Sequence, residues 1–120
     1  CLVEIFWHLA DIEQKVNLPQ WRHLLETPDQ PLPAIDTERW AEMRDYRSKD
    51  PVEALESFID TRRQSLKWII RLMESDLFEA AIYHPIFTRT TIQELVKFAC
   101  RHDVVHLRQC SNLLNIYKIF

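Results

Sequence analysis

Apolar residues recur at helical spacing in three stretches of the chain, and each stretch predicts one long amphipathic helix. The first stretch, residues 2–18, places on one helix face Leu2, Ile5, Leu9, Ile12 and Val16. The polar residues 13–15 fall largely outside that face. Pro19 is predicted to end this helix, because proline cannot continue the backbone hydrogen-bond ladder.

The second helix is predicted from Asp50 to about Ser75. Asp50 suits an N-cap, Pro51 suits the first helical position, and Glu53 places an acid in the first turn. One face of this helix holds Val52, Leu55, Ile59, Leu66, Ile70 and Met73. The pattern therefore predicts a long helix with a single apolar stripe.

The third helix is predicted from Thr91 to about Tyr117. Thr91 and Glu94 have the spacing of a capping box, in which each side chain satisfies a backbone amide of the first turn. One broad face of this helix carries Leu95, Phe98, Ala99, His102, Val105, His106, Cys110, Leu113 and Tyr117. Two histidines thus lie within a stripe that is expected to be buried.

Two connections join these helices. Residues 19–50 are rich in proline and are predicted to form a long crossover. Its large apolar residues predict short helical turns packed against the helices: Trp21, Leu24, Leu25, Trp40 and Met43. Residues 76–90 form the next connection, where Pro85 biases His84 away from helical backbone.

Composition narrows the fold class. The chain has 120 residues, of which 47% are hydrophobic, so residues 1–120 suffice for one domain with its own core. Glycine is absent from the sequence, which disfavours the tight turns of β-hairpins. We therefore predict a single all-α domain.

Charge and cysteine content bear on partners and location. A formal net charge of −3 with scattered Lys and Arg predicts no nucleic-acid partner. The apolar runs are too short for a membrane span or a secretory signal, so no membrane association and a cytoplasmic location are expected. Cys1, Cys100 and Cys110 are predicted to be reduced, with the last two as small core residues.

The histidines are the candidate metal-binding residues of this sequence. His102 and His106 are four residues apart, so both rings project from the same side of one helix, where they could hold a divalent metal. The alternative is that each is a core histidine bonded to a backbone carbonyl, Asp103 or Gln109. His8 lies at the edge of the first helix face, and Glu4 or Asp11 could orient its ring. His23 and His84 are left outside the site, since no helix is predicted to aim them.

Three passages together resemble the DinB-like superfamily: residues 4–13 around His8, residues 84–95 from His84-Pro85 to Leu95, and residues 102–109 with the H-x-x-x-H pair. The resemblance spans nearly the whole chain. It implies an up-down-down-up four-helix bundle, with the proline-rich crossover between helices two and three. It also implies that His8, His102 and His106 bind one divalent transition metal, which in this family is zinc, nickel or iron.

Two departures from the family pattern stand out. The chain opens on Cys1 within an apolar run, so we expect that the first helix is missing and that helices two to four are present. Apolar surface would then be exposed unless a missing segment or a partner, such as a second copy in a homodimer, covers it. Thr88 stands where such sequences commonly have glycine, which bears on the turn before the last helix.

The resemblance implies a metal-dependent enzyme of thiol transfer or hydrolysis, acting on small molecules in stress or detoxification, with a low-molecular-weight thiol as the expected co-substrate. The alternatives are a non-catalytic metal-binding helical interaction module and a plain bundle with polar core histidines. Arg62, within the apolar stripe of the second helix, either holds a substrate carboxylate or pairs with a neighbouring acid. Asp11 and Glu4 are candidate bases or orienting groups, and Asp103 is expected to face solvent.

Overall fold

The computed structural model describes residues 1–37 and 40–118, and it is mostly helical. Long helices form the body of the molecule, and a small two-stranded sheet precedes the last of them. In chain order the elements are α1 (Leu2–Ile12), a π-helical segment (Glu13–Asn17), α2 (Leu18–Glu26), α3 (Trp40–Arg44), a 3₁₀ turn (Tyr46–Ser48), α4 (Pro51–Met73), β1 (Ala81–His84), β2 (Thr88–Thr91) and α5 (Ile92–Lys118).

The prediction that the first helix ends at Pro19 is wrong. The chain remains helical to Glu26, because a π-helical segment joins α1 to α2. The amide of Leu18 donates to the carbonyl of Glu13, five residues back, and Pro19 follows in the first turn of α2. A proline is tolerated there, since first-turn positions do not depend on an intrahelical amide donor.

The crossover is consequently shorter than predicted and begins after α2. Trp21 and Leu24, which were expected to pack from short turns within it, are buried side chains of α2. Trp40 begins the short helix α3, as predicted, whereas Met43 is 75% exposed and does not pack on the body. Tyr46 of the 3₁₀ turn fills that role instead, since it is fully buried.

Helix α4 has the predicted start and length. The Asp50 side chain accepts a hydrogen bond of 2.8 Å from the Val52 amide, as an N-cap residue does. The helix packs along α1 and α2 with a face of mostly small or polar buried residues, including Ala54, Thr61 and Ser65. Its predicted apolar stripe, here named the α4 stripe, is instead 41–57% exposed and consists of Val52, Leu55, Ile59, Leu66, Ile70 and Met73.

The connection before the last helix contains a β-hairpin, which the prediction of a purely α-helical chain did not include. Strands β1 and β2 pair antiparallel, with His84 opposite Thr88 next to the turn. The hairpin forms without glycine because Thr88 itself adopts a left-handed φ of 60°. This is the position at which related sequences are expected to have glycine, and the backbone geometry explains that preference.

Helix α5 runs from Ile92 to Lys118, in agreement with its predicted extent. Only half of the predicted capping box forms: the Glu94 amide donates to the Thr91 hydroxyl at 3.1 Å, while the Glu94 carboxylate accepts from Thr90. The main core cluster lies where α2, α4, α5 and the crossover meet, and it comprises Trp21, Leu24, Leu32, Leu72, Ile92 and Leu95. Within residues 1–37 and 40–118, each helix is too short or too polar to cross a membrane.

Candidate metal centre

Three histidine side chains converge between α1 and α5. The Nε2 atom of His102 lies 3.3 Å from Nε2 of His8 and 3.1 Å from Nε2 of His106. One nitrogen from each ring falls within 4.8 Å of the other two. The three residues that the family resemblance selects are therefore brought to one point, although 94 residues separate His8 from His102.

Local structure explains how each ring reaches this point. His102 and His106 are one helical turn apart on α5, so their rings project on the same side. Their centroids lie 4.5 Å apart, with the rings nearly perpendicular. His8 projects from α1, which packs against both α4 and α5, and its ring centroid is 4.7 Å from that of His106.

The spacing of the nitrogens fits a shared metal ion. Two imidazole nitrogens bound tetrahedrally, each about 2.0–2.1 Å from the metal, lie roughly 3.3–3.4 Å from each other. The two Nε2 separations are close to this value. A neutral imidazole carries only one ring N–H, so direct hydrogen bonds cannot use all three facing nitrogens well. The residues present thus suit a divalent transition metal as a common partner.

Electrostatics favours the neutral rings that metal binding requires. Burial is the largest cause that lowers the pKa of His8 to about 4, with the neighbouring His106 and His102 acting in the same direction and Asp11 opposing them. Burial also lowers the pKa of His102, with His106 acting in the same direction. Both rings are therefore neutral near pH 7 and can offer lone pairs to a cation.

The site is neither sealed nor fully open. All three histidines are half-buried, so a fourth ligand from solvent can reach the point where the rings meet. Among the described residues, the group of histidine, cysteine and acidic side chains that could hold a metal consists of these three histidines. Three protein ligands leave a position for water or a substrate atom, as in catalytic zinc sites.

The orienting partners differ from those expected. The Nδ1 atom of His106 lies 2.8 Å from Oε1 of Gln109. This contact orients the ring through the nitrogen that does not face His102. Glu4 was expected to orient His8, but it binds Arg47 and the chain's amino group. Its carboxylate therefore belongs to the surface of α1.

Asp11, the other expected partner of His8, is buried and engaged elsewhere. Its carboxylate accepts a 2.5 Å hydrogen bond from the Tyr46 hydroxyl and lies 2.9 Å from Arg44. Burial together with this bond raises the pKa of Tyr46. Asp11 thus fastens the 3₁₀ turn to α1 and influences His8 only through its charge.

Arg62 resolves the choice that the sequence left open, since it pairs with neighbouring acids. Its guanidinium lies 2.8 and 3.1 Å from the two carboxylate oxygens of Asp103 and 2.9 Å from Glu13. Arg62 therefore links α4 to α5 and to the π-helical segment. Asp103, which was expected to face solvent, is half-buried by this contact.

Glu13 is the residue that sequence reasoning missed. It was assigned to the polar side of the first helix, yet it is 1% exposed. Burial raises its pKa, but hydrogen bonds from Arg62 and Asn17 outweigh that effect, and the pKa is lowered overall. The four-residue spacing of Glu13 and Asn17 was the available signal, but the partner on α4 was not visible from local sequence.

The remaining histidines and cysteines lie outside the cluster. His23, on α2, contacts the Gln30 carbonyl at 2.9 Å, and Nδ1 of His84 accepts from the amides of Ile86 and Phe87. All three cysteines are free; Cys110 is buried as predicted, whereas Cys100 is exposed, contrary to its predicted place in the core.

Comparison with protein families gives a match over residues 2–110 to the family described as the DinB superfamily. The matched range includes the three histidines and ends within α5. No curated protein matches the chain.

Proposed function

We propose that this chain, which belongs to the DinB superfamily because that family's model matches residues 2–110, binds one divalent transition metal through His8, His102 and His106. Zinc, nickel and iron are the candidate ions, since imidazole nitrogen suits each of them. The observation that carries the proposal is the meeting of three Nε2 atoms at separations of 3.1 and 3.3 Å around His102.

We further propose that the bound metal serves catalysis on small molecules, by thiol transfer or by hydrolysis. A metal held by three imidazoles supplies Lewis acidity, which lowers the pKa of a bound thiol or water. The half-buried position of the histidines supports access for such a ligand. Gln109 holds the His106 ring in place, so the donor nitrogen of that ring is oriented before a ligand arrives.

A second candidate function is a non-catalytic metal-binding module that associates through its helices. The α4 stripe favours it, because six large apolar side chains on one helix face are 41–57% exposed.

The four-helix bundle with its first helix outside this chain stays a prediction, and the same stripe supports it. Homodimer formation and a cytoplasmic location also stay proposals. Light scattering of wild type and of Leu66→Glu tests whether the stripe joins two copies.

Metal content tests the metal site directly. The protein is purified without added metal or a histidine tag, and its metal is quantified by elemental analysis. We expect about one equivalent in wild type and in the control variant His23→Ala, and little in the His102→Ala, His106→Ala double variant. Equal metal content in wild type and the double variant, or none in wild type even after soaking with zinc, would overturn the proposal.

Cobalt substitution separates the enzyme from the binding module. Co²⁺ at a three-histidine site gives visible absorption bands that respond to a change of the remaining ligand. We expect 2-mercaptoethanol to shift these bands in wild type, as coordination of a thiolate would require. Bands that form but do not respond to thiol or to azide would favour the non-catalytic module.

A further inference from the structure

A groove lies between the β-hairpin and the first half of α5. Its volume is about 440 Å³. The lining residues, which define what we name the α5 groove, are Phe87, Arg89, Thr90, Glu94, Leu95, Lys97, Phe98 and Arg101. None of His8, His102 and His106 lines it, so the groove is separate from the candidate metal centre.

The α5 groove is positively charged in a chain with a net charge of −3. Arg89, Lys97 and Arg101 supply three cations, and one carboxylate, that of Glu94, opposes them. Among the ion pairs of the described residues, none includes any of these three cations. Their charges are therefore available to an external anion.

The two cations on α5 have a spacing that suits joint binding. Lys97 and Arg101 are four residues apart, so their side chains leave the helix on the same side. A guanidinium offers paired donors to carboxylate or phosphate oxygens, and an ammonium adds a mobile point charge. Arg89 reaches the groove from β2, a different element, so an anion there would meet cations from two sides.

One wall of the groove is aromatic. The rings of Phe87 and Phe98 pack edge to face, with centroids 4.8 Å apart. Phe98 is nevertheless 50% exposed and Phe87 37% exposed, although both are large apolar side chains. An exposed aromatic pair beside cations suits a ligand that has both a flat apolar part and a negative charge.

The backbone around the groove is held in place. The antiparallel pairing of β1 with β2 fixes the strand that carries Arg89. The Thr90 side chain is buried and donates to the Glu94 carboxylate at 3.0 Å. This hydrogen bond engages the one carboxylate that opposes the three cations of the groove. The Gln93 amide donates to the Phe78 carbonyl at 3.1 Å, anchoring the start of α5. The groove is thus a formed feature of the fold.

We propose that the α5 groove binds a small organic anion, namely a phosphate monoester or a carboxylate that has an aromatic or other flat apolar portion. Lys97, Arg101 and Arg89 contact the anionic group, and the Phe87–Phe98 pair contacts the apolar part. The volume lies within the range of about 300–1,000 Å³ that is common for small-molecule sites. This inference stands independently of the proposed metal function.

Titration with 1-naphthyl phosphate, followed by ¹H–¹⁵N spectra of the protein, tests the proposal. Inorganic phosphate and 1-naphthol are titrated in parallel, because they present the charge and the ring separately. We expect 1-naphthyl phosphate to bind more tightly than either fragment and to shift amide signals of residues 87–101. Shifts confined to the α4 stripe, or equal affinities for the three compounds, would overturn the proposal.

Two double variants make the comparison specific. Lys97→Gln with Arg101→Gln removes two groove cations, and we expect affinity for 1-naphthyl phosphate to fall at least about tenfold. Arg63→Gln with Lys67→Gln is the matched control, since it removes an exposed pair of the same charge and spacing from α4. Equal losses in both variants would assign binding to general charge attraction. The titration is repeated after any bound metal has been removed with a chelator. Amide shifts that appear only when metal is present would show that the phosphate binds at the histidine cluster and not in the α5 groove.

Discussion

The guanidinium of Arg62 lies 2.8 Å from a carboxylate oxygen of Asp103, the residue that follows His102 on α5. Its other terminal nitrogen contacts the second oxygen of Asp103 and the buried Glu13. One side chain of α4 therefore ties α5, which carries His102 and His106, to the π-helical segment that continues α1, the helix of His8. This arrangement couples the stability of the fold to the relative position of His8 and His102.

Replacing Arg62 is expected to destabilise the protein strongly. In Arg62→Met the Glu13 carboxylate, whose side chain is 2% exposed, loses its cationic partner. Breaking a buried pair in this way typically costs about 3–5 kcal/mol of unfolding free energy. Urea denaturation measures the loss, with Arg63→Met as control because Arg63 is exposed on the same helix. A loss in Arg62→Met no larger than that of the control would contradict a stabilising role for this contact.

The Glu13 carboxylate is expected to make stability fall in acid. Its pKa in the folded protein is lowered from 4.5, so the folded state holds the ionised form more strongly than the unfolded state does. This contribution is present above about pH 4.5 and is lost as the pH falls through the lower folded value. Denaturation of metal-free wild type and Glu13→Gln at pH 7 and pH 3.5 isolates the effect. The stability difference between the two proteins should shrink at pH 3.5, and a constant difference would exclude Glu13 as the source.

Thr88→Gly is expected to stabilise the hairpin. Thr88 is β-branched and has a left-handed φ of 60°, a conformation that costs a residue with a Cβ atom about 1–2 kcal/mol. Glycine removes this strain but adds conformational freedom to the unfolded chain. We therefore expect the free energy of unfolding to rise by roughly 0.5–1 kcal/mol. Thermal denaturation measures it. Thr88→Ala is the matched control, since it removes the hydroxyl but keeps Cβ, and a similar gain there would show that backbone strain is not the cause.

Metal binding is expected to raise the melting temperature of wild type. A ligand that binds only the folded state, at a free concentration about 100 times its Kd, raises the free energy of unfolding by roughly 2.7 kcal/mol. Zinc should therefore raise Tm in wild type and in His23→Ala, and it should have little effect on His102→Ala. Removal of the metal with a chelator should restore the original Tm. An equal zinc effect in His102→Ala would place the metal elsewhere on the protein.

The hydrophobic pattern correctly predicted the position and length of α4 and α5. Period and capping are local properties, so Asp50 before Pro51 and Thr91 before Ile92 could be recognised without knowledge of the fold. The four-residue spacing of His102 and His106 likewise placed two rings together on one helix. Sequence resemblance, which does not depend on local periodicity, supplied His8 as the third member.

Other features could not be recognised from the hydrophobic pattern and the capping residues. The helix continues through Pro19 because a π-helical segment shifts the hydrogen-bond ladder just before it. Glu13 is buried rather than exposed because Arg62, 49 residues away, neutralises it. The hairpin forms without glycine because Thr88 accepts a strained backbone between two paired strands.

The sequence by itself thus determined the position and length of α4 and α5 and which residue types offer metal-binding nitrogens, because both follow from neighbours along the chain. Only the tertiary structure decided which polar groups are buried and paired, and it alone brought His8 to within 3.3 Å of His102. The α4 stripe gives the same lesson: periodicity identified its apolar face, but packing left that face exposed and buried Ala54, Thr61 and Ser65 instead. Burial depends on which helices meet, and that is a property of the whole fold.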